Sequence, residues 1–164
     1  LLNKGIKASL HQSENEQSTR DGMDIALLRI DKNTTGNATL SYAGANRPLW
    51  IIRNSNQTAD INKVFEEIKA RKKAMGGLRE DDQRFTSHSI PLKKGDALYI
   101  FTDGYADLFG TAGKKLTTKK FRQILADFQN KPMKEQEKQL ETFATNWRGT
   151  TEQIDDILVI GICL

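Results

Sequence analysis

Two carboxylate motifs in this chain are placed where metal chemistry could be done. The run Leu98-Tyr99-Ile100-Phe101-Thr102-Asp103-Gly104 ends an apolar stretch on an acid, and Asp155-Asp156 stands immediately before Ile157-Leu158-Val159-Ile160-Gly161-Ile162. Four apolar residues in a row read as a strand buried on both faces, and Gly104 permits a sharp exit behind the acid. A charge at such a strand end is seldom a core residue, because burying it unpaired costs several kcal/mol. Two strand-end acids far apart in sequence could face one hard cation, which takes oxygen ligands. The plainer alternative is structural. Asp-Gly is a turn dipeptide, and an Asp ahead of a strand is often a solvated loop residue.

The elements that would carry these acids can be read from periodicity and punctuation. Leu2, Ile6 and Leu10 share one helical face over 1–11, followed by a polar loop over 12–19. Residues 24–30 read as a buried strand, 31–37 as a turn and 38–43 as the returning strand of a hairpin. A tight connection over 44–48 leads into a buried strand at 49–53, and 54–60 is loop. Ile61, Val64, Phe65 and Ile68 fit a helical stripe, although 64–68 can also pair as a strand. After a loop over 76–83, residues 85–92 alternate as an edge-like strand, and 93–96 turn into the central strand 97–101. Thr117 is suited to cap a helix reaching Phe128, with Phe121, Ile124 and Leu125 on its inner face. Pro132 suits the first turn of a second helix, with Met133, Gln136, Leu140, Phe143 and Trp147 inward and Gly149 ending it. A last strand over 157–164 completes an α+β order in which helices cover antiparallel sheet.

The chain has 164 residues, enough for one domain (1–164), and its 37% hydrophobic and 28% charged content excludes disorder as a class. No apolar run approaches the roughly 18 residues of a membrane span. The chain opens on Leu1 with no signal-peptide pattern, and is expected to be a piece of a longer protein. Cys163 is the single cysteine, so disulfides and thiolate metal cages are excluded; a core position and a reducing cytoplasm are expected. The net charge of +4 is mild. The basic runs Lys69-Ala70-Arg71-Lys72-Lys73 and Lys114-Lys115-Leu116-Thr117-Thr118-Lys119-Lys120 lack interleaved aromatics, so they read as solvated faces and no nucleic-acid partner is expected.

Taken together, four segments resemble one family. Asp21-Gly22-Met23-Asp24-Ile25-Ala26-Leu27, Tyr42-Ala43-Gly44-Ala45-Asn46-Arg47-Pro48-Leu49, the stretch Gly95-Asp96-Ala97-Leu98-Tyr99-Ile100-Phe101-Thr102-Asp103-Gly104, and Asp155-Asp156-Ile157 look like the later part of a SpoIIE/RsbU-type phosphatase domain. That group sits among the metal-dependent PPM (protein phosphatase 2C-like) serine/threonine phosphatases of bacterial signalling. The resemblance implies part of an αββα sandwich of mostly antiparallel sheets flanked by helices, with a dinuclear Mn2+ or Mg2+ site. It implies metal-site residues at Asp103, Gly104, Asp155 and Asp156. Asp103 matches the acid of a Thr-Asp-Gly motif and Asp155 that of a late Asp-Asp motif, with Asp156 its alternative if the register shifts by one. The metals would activate a water, so no protein nucleophile is called for. The family's placement of elements also favours 64–68 as strand.

The family's early motifs, an Asp in the first hairpin and an Asp-x-x-Gly-His-Gly segment opening the first long helix, have no counterpart here. The N-terminal strands and that helix are therefore expected to be missing, leaving about half a metal site in a chain inactive by itself. His11 reads as a helix end and His88 as strand surface. Asp107 reads as a helix N-terminal charge, with contact to substrate or to the metal ligands the alternative. Asp21 and Asp24 read as turn residues, with approach to the metal cleft the alternative; Arg47 reads as a loop residue, with phosphate contact the alternative. The function implied is a protein serine/threonine phosphatase, the cytoplasmic output of a bacterial signalling protein with an N-terminal sensor domain. Its substrate would be a phosphoprotein, by analogy an anti-sigma-factor antagonist. The alternative is a non-catalytic phosphatase-fold interaction module. Exposed sheet edges also predict self-association, as a homodimer.

Overall fold

The computed structural model describes residues 2–12, 21–32, 38–54, 61–77 and 84–164. The elements in chain order begin α1 (Leu2–Ser9), β1 (Gly22–Met23), β2 (Ile25–Lys32), β3 (Ala38–Ala45), β4 (Leu49–Ile52), α2 (Ile61–Val64) and β5 (Phe65–Ile68). They continue with β6 (Met75–Gly76), β7 (His88–Leu92), β8 (Ala97–Phe101), a 3-10 turn (Asp103–Tyr105), α3 (Thr118–Asp127), α4 (Met133–Arg148) and β9 (Val159–Cys163). The class is α+β, and the contacts divide it into two units, 1–49 with 68–92, and 50–67 with 93–164.

In the first unit β2, β3 and β7 form an antiparallel sheet in that order, with Leu28 opposite Tyr42 and Leu40 opposite Ile90. The hairpin expected between 24 and 43 is present, paired from Ile25↔Ala45 to Lys32↔Ala38. Its turn residues 33–37 lie outside the described residues, as do 13–20, 55–60 and 78–83, where loops were expected. The expectation of a buried strand at 24–30 is corrected. β2 lies at the edge of the three-stranded sheet and none of its residues is buried, Leu27 being 61% exposed. β7 is an edge, as its alternation predicts, but begins at His88 rather than Phe85. A two-stranded ribbon joins β1 to β6, and Asn3 on α1 accepts the Gly76 N–H at 2.7 Å.

In the second unit the sheet order is β5-β4-β8-β9. β8 is the central strand the apolar run predicts, with Trp50 of β4 opposite Tyr99 and Ile162 of β9 opposite Leu98. An aromatic cluster fills the core. Trp50 lies 4.2 Å from Phe101 and 5.4 Å from Phe121 between ring centroids, and Phe121 stands 4.5 Å from Tyr105. Burying each such side chain contributes about 1.5–3 kcal/mol. α3 is capped by Thr117, whose side chain accepts the Lys120 N–H. α4 follows Pro132, turns Gln136 and Leu140 inward, and ends at Gly149.

The strand expected at 64–68 is present as β5, Phe65–Ile68, and follows a single helical turn that ends at Val64. Two expectations in this unit are corrected. Cys163 is exposed rather than core, on the edge strand β9, which starts at Val159 rather than at Ile157. Asp107 does not open a helix. The 3-10 turn ends before it, α3 starts at Thr118, and its carboxylate pairs with Lys115 at 2.8 Å.

Candidate metal site at the end of the central strand

β8 ends at Phe101, and the two residues beyond it organise the site. Thr102 Oγ1 donates to the Asp156 carbonyl at 2.8 Å and accepts the Leu158 N–H at 2.9 Å. The Thr102 N–H donates to the Leu158 carbonyl at 3.0 Å, extending the β8–β9 ladder past the strand ends. The Thr-Asp-Gly and Asp-Asp motifs, over fifty residues apart, are thereby brought together. Asp103 opens the 3-10 turn with an exposed side chain, and its carbonyl accepts the Asp107 N–H at 2.9 Å. Asp155 and Asp156 are exposed and precede β9; the Asp155 carbonyl accepts from Gln153 at 3.0 Å.

Gly104 is a glycine for a reason different from the expected sharp exit. Its φ is not in the left-handed region, but a Cβ there would stand 2.4 Å from the Asp156 carbonyl oxygen and 3.3 Å from that of Asp155. The absent side chain lets the two acidic segments touch.

Asp103, Asp155 and Asp156 offer oxygen donors, the kind Mn2+ and Mg2+ take. The donor set fits such a cation in kind but not in number: among the described residues no three His, Cys, Asp or Glu side chains gather as a cation site. His11 is exposed beyond the end of α1, and His88 lies beside Tyr42, ring centroids 6.0 Å apart; both belong to the first unit. A groove of about 980 Å3 between α4 and β9 is lined by apolar residues such as Leu140 and Val159 and includes none of the three acids.

The acid that sequence reasoning passed over is Asp96. It falls inside the Gly95–Gly104 motif yet reads as a turn residue. It is fully buried at the opposite end of β8 from Asp103, accepting from Arg53 Nη1 at 2.9 Å, the Asn54 N–H at 2.9 Å and the Lys93 N–H at 3.0 Å. Arg53 also reaches Glu66 at 2.6 Å. Partial burial pulls the Arg53 pKa down, but the bonds and charges of Glu66 and Asp96 outweigh this and raise it. Three donors on one carboxylate make it a structural staple. Its only sequence signal was an acid beside Gly95, whose φ of +86 makes the turn. In the first unit Asp24 is likewise occupied, binding Asn46 Nδ2 at 2.7 Å and Arg47 at 2.9 Å.

Antiparallel sheets flanked by helices are the fold of the PP2C-like phosphatase domains that this chain resembles. The chain belongs to the SpoIIE family, whose model, Stage II sporulation protein E, matches residues 2–164. Among solved structures it is similar to the SiaA-PP2C domain of Pseudomonas aeruginosa, at 20% identity and a TM-score of 0.72, covering 99% of this chain and 57% of that one. It is also similar to the phosphatase domain of the cell fate determinant SpoIIE from Bacillus subtilis. The Mn-presoaked form matches at 17% identity and a TM-score of 0.58, covering 99% of this chain and 63% of that one. A second structure of that domain gives 14% and 0.50, with 98% and 64% covered. A comparison with curated protein sequences gave no match. At these identities the likeness shows the fold, and the chain spans 57% to 64% of the length of those chains. Among the described residues no helix is long and apolar enough to cross a membrane.

Proposed function

We propose that this chain is the later part of a metal-dependent protein serine/threonine phosphatase domain that serves as the output of a bacterial signalling protein. The observation that carries the reading is the Thr102–Asp156 bond, with Gly104 packed on the Asp156 carbonyl, which joins two acidic motifs at one strand end. In this reading Asp103 and Asp155 hold the Mn2+ or Mg2+, Asp156 is the alternative to Asp155, and Gly104 keeps the segments in register. Bound cations would lower the pKa of a water and clamp phosphate oxygens. The chain's own part is to fix its carboxylates: the β8–β9 ladder holds one segment and the Thr102 hydroxyl ties the other to it. The remaining ligands would come from segments that match the family's early motifs.

The substrate in this reading is a phosphoserine or phosphothreonine protein, by analogy an anti-sigma-factor antagonist, and an N-terminal sensor domain would govern the activity. The second reading is a non-catalytic interaction module, supported by the shortage of donors among the described residues. Calorimetric titration with Mn2+ separates the two. The phosphatase reading predicts saturable binding that Asp103→Asn weakens at least tenfold; no binding to the protein extended upstream would favour the module.

A further inference from the structure

The basic run that reads from sequence as a solvated face contains a built recess. In the first unit a groove of about 330 Å3 is lined by Gly44, Lys69, Ala70, Arg71, Thr86 and His88. Among the described residues, three cation-capable residues and one hydroxyl-bearing residue therefore line a single concavity, with no carboxylate.

The Arg71 guanidinium is held in place. Its Nη1 donates to the Arg84 carbonyl, and its planar head lies 5.9 Å from the Phe85 ring centroid. The backbone beneath is fixed as well: the Arg71 N–H donates to the Gly44 carbonyl at 3.0 Å and the Arg71 carbonyl accepts the Asn46 N–H at 2.9 Å. Among the described residues Lys69, Arg71 and His88 make no ion pair, unlike Arg47 and Arg53 nearby in sequence. An anchored guanidinium with unused N–H donors loses little entropy on binding, and its planar fork matches two oxygens of a tetrahedral oxyanion.

We propose that this groove binds a dianionic phosphate group, with Arg71 as the bidentate donor and Lys69, Thr86 and His88 completing the ring of donors. Its occupant is a phosphate monoester on a protein side chain or free inorganic phosphate, which share this chemistry. None of its residues is shared with the acidic segments Asp103 and Asp155–Asp156, which belong to the other unit.

The test is calorimetry or chemical-shift titration on the whole chain in EDTA at constant ionic strength. The probes are inorganic phosphate, a phosphoserine peptide and its unphosphorylated form. Saturable binding of either phosphate probe, weakened at least tenfold by Arg71→Gln and by Lys69→Gln but unchanged by Lys114→Gln, supports the site, and the tighter probe identifies the source. Arg71→Lys keeps the charge and loses the fork, so an intermediate loss is expected. Equal weakening by Lys114→Gln, binding of the unphosphorylated peptide as tightly, or no effect of Arg71→Gln in a chain with unchanged melting would overturn it. Because EDTA removes divalent cations, failure here leaves the phosphatase reading untouched, and failure of that reading leaves this site standing.

Discussion

Thr102 and Asp156 lie 54 residues apart in sequence and are joined by a 2.8 Å hydrogen bond from the threonine hydroxyl to the aspartate carbonyl. The same hydroxyl accepts the Leu158 N–H, so one side chain satisfies an acceptor and a donor of the segment carrying the second acid motif. Thr102→Val is isosteric and removes both bonds. The expected loss is about 1–2 kcal/mol in a denaturant melt, because both groups retain some access to water. Mn2+ affinity is expected to fall further than that stability loss accounts for; an unchanged affinity would show that the clamp does not position the acids.

Gly104→Ala tests the close approach of the same two segments. The new Cβ would stand 2.4 Å from a backbone oxygen, so the backbone itself must shift. A loss of roughly 1–3 kcal/mol is expected from such overpacking. Gly5→Ala is the contrasting case: within α1 nothing lies within 4 Å of the added methyl. That substitution should stabilise by about 0.5–1 kcal/mol, and melting of the pair decides whether space or backbone freedom governs position 104.

Asp96→Ala would remove the carboxylate that pairs with Arg53 Nη1 and the acceptor of two backbone N–H groups. Breaking a buried pair from one side typically costs 3–5 kcal/mol. The expected outcome is a strongly lowered melting temperature with unchanged metal affinity in the fraction that stays folded. Metal affinity falling ahead of stability would place Asp96 in the site instead.

Alkaline pH should loosen the second unit through its tyrosines. Burial raises the Tyr99 pKa to about 12, and burial raises Tyr105 as well. A folded pKa above the unfolded value of 10 means that the unfolded chain loses its proton first. The contribution is therefore complete below pH 10 and is lost as pH rises from 10 toward 12, at up to about 1.4 kcal/mol per pH unit for each group. Tyr99→Phe should be less stable at pH 7, because the buried Gln136 Oε1 loses its 2.7 Å donor. It should also show a shallower decline above pH 10. Equal slopes for the two proteins would contradict the assignment.

Much of this architecture was legible because the local signals agreed with one another. The run 98–101 became the central strand, as four consecutive apolar residues suit a strand covered on both faces. Thr117 and Gly149 marked helix ends through capping chemistry that acts over a few residues. The misreadings came where tertiary context decides. Ile25, Leu27, Leu28, Ile30 and Cys163 are apolar by type but not buried, because burial depends on what packs over each sheet face, which periodicity does not encode. The 61–68 segment is not one of them: it fits both periods because the chain changes from helix to strand at Val64, and the family's placement of elements selected the strand that is present.

At the site, types and spacing showed Asp103 and Asp155–Asp156 as candidates, but not what joins them. The joining groups are a threonine hydroxyl and a missing Cβ, neither of which carries a charge or a periodicity to notice. Asp96 was overlooked for the opposite reason: an acid beside a glycine reads as a solvated turn, and only the fold shows three donors converging on it.

The most direct test is Mn2+-dependent release of phosphate from a phosphoserine peptide by the protein extended upstream of Leu1, comparing wild type with Asp103→Asn. The account predicts hydrolysis that requires the metal and falls at least a hundredfold in the variant, with melting unchanged. Metal-independent hydrolysis, or full activity in Asp103→Asn, would contradict it.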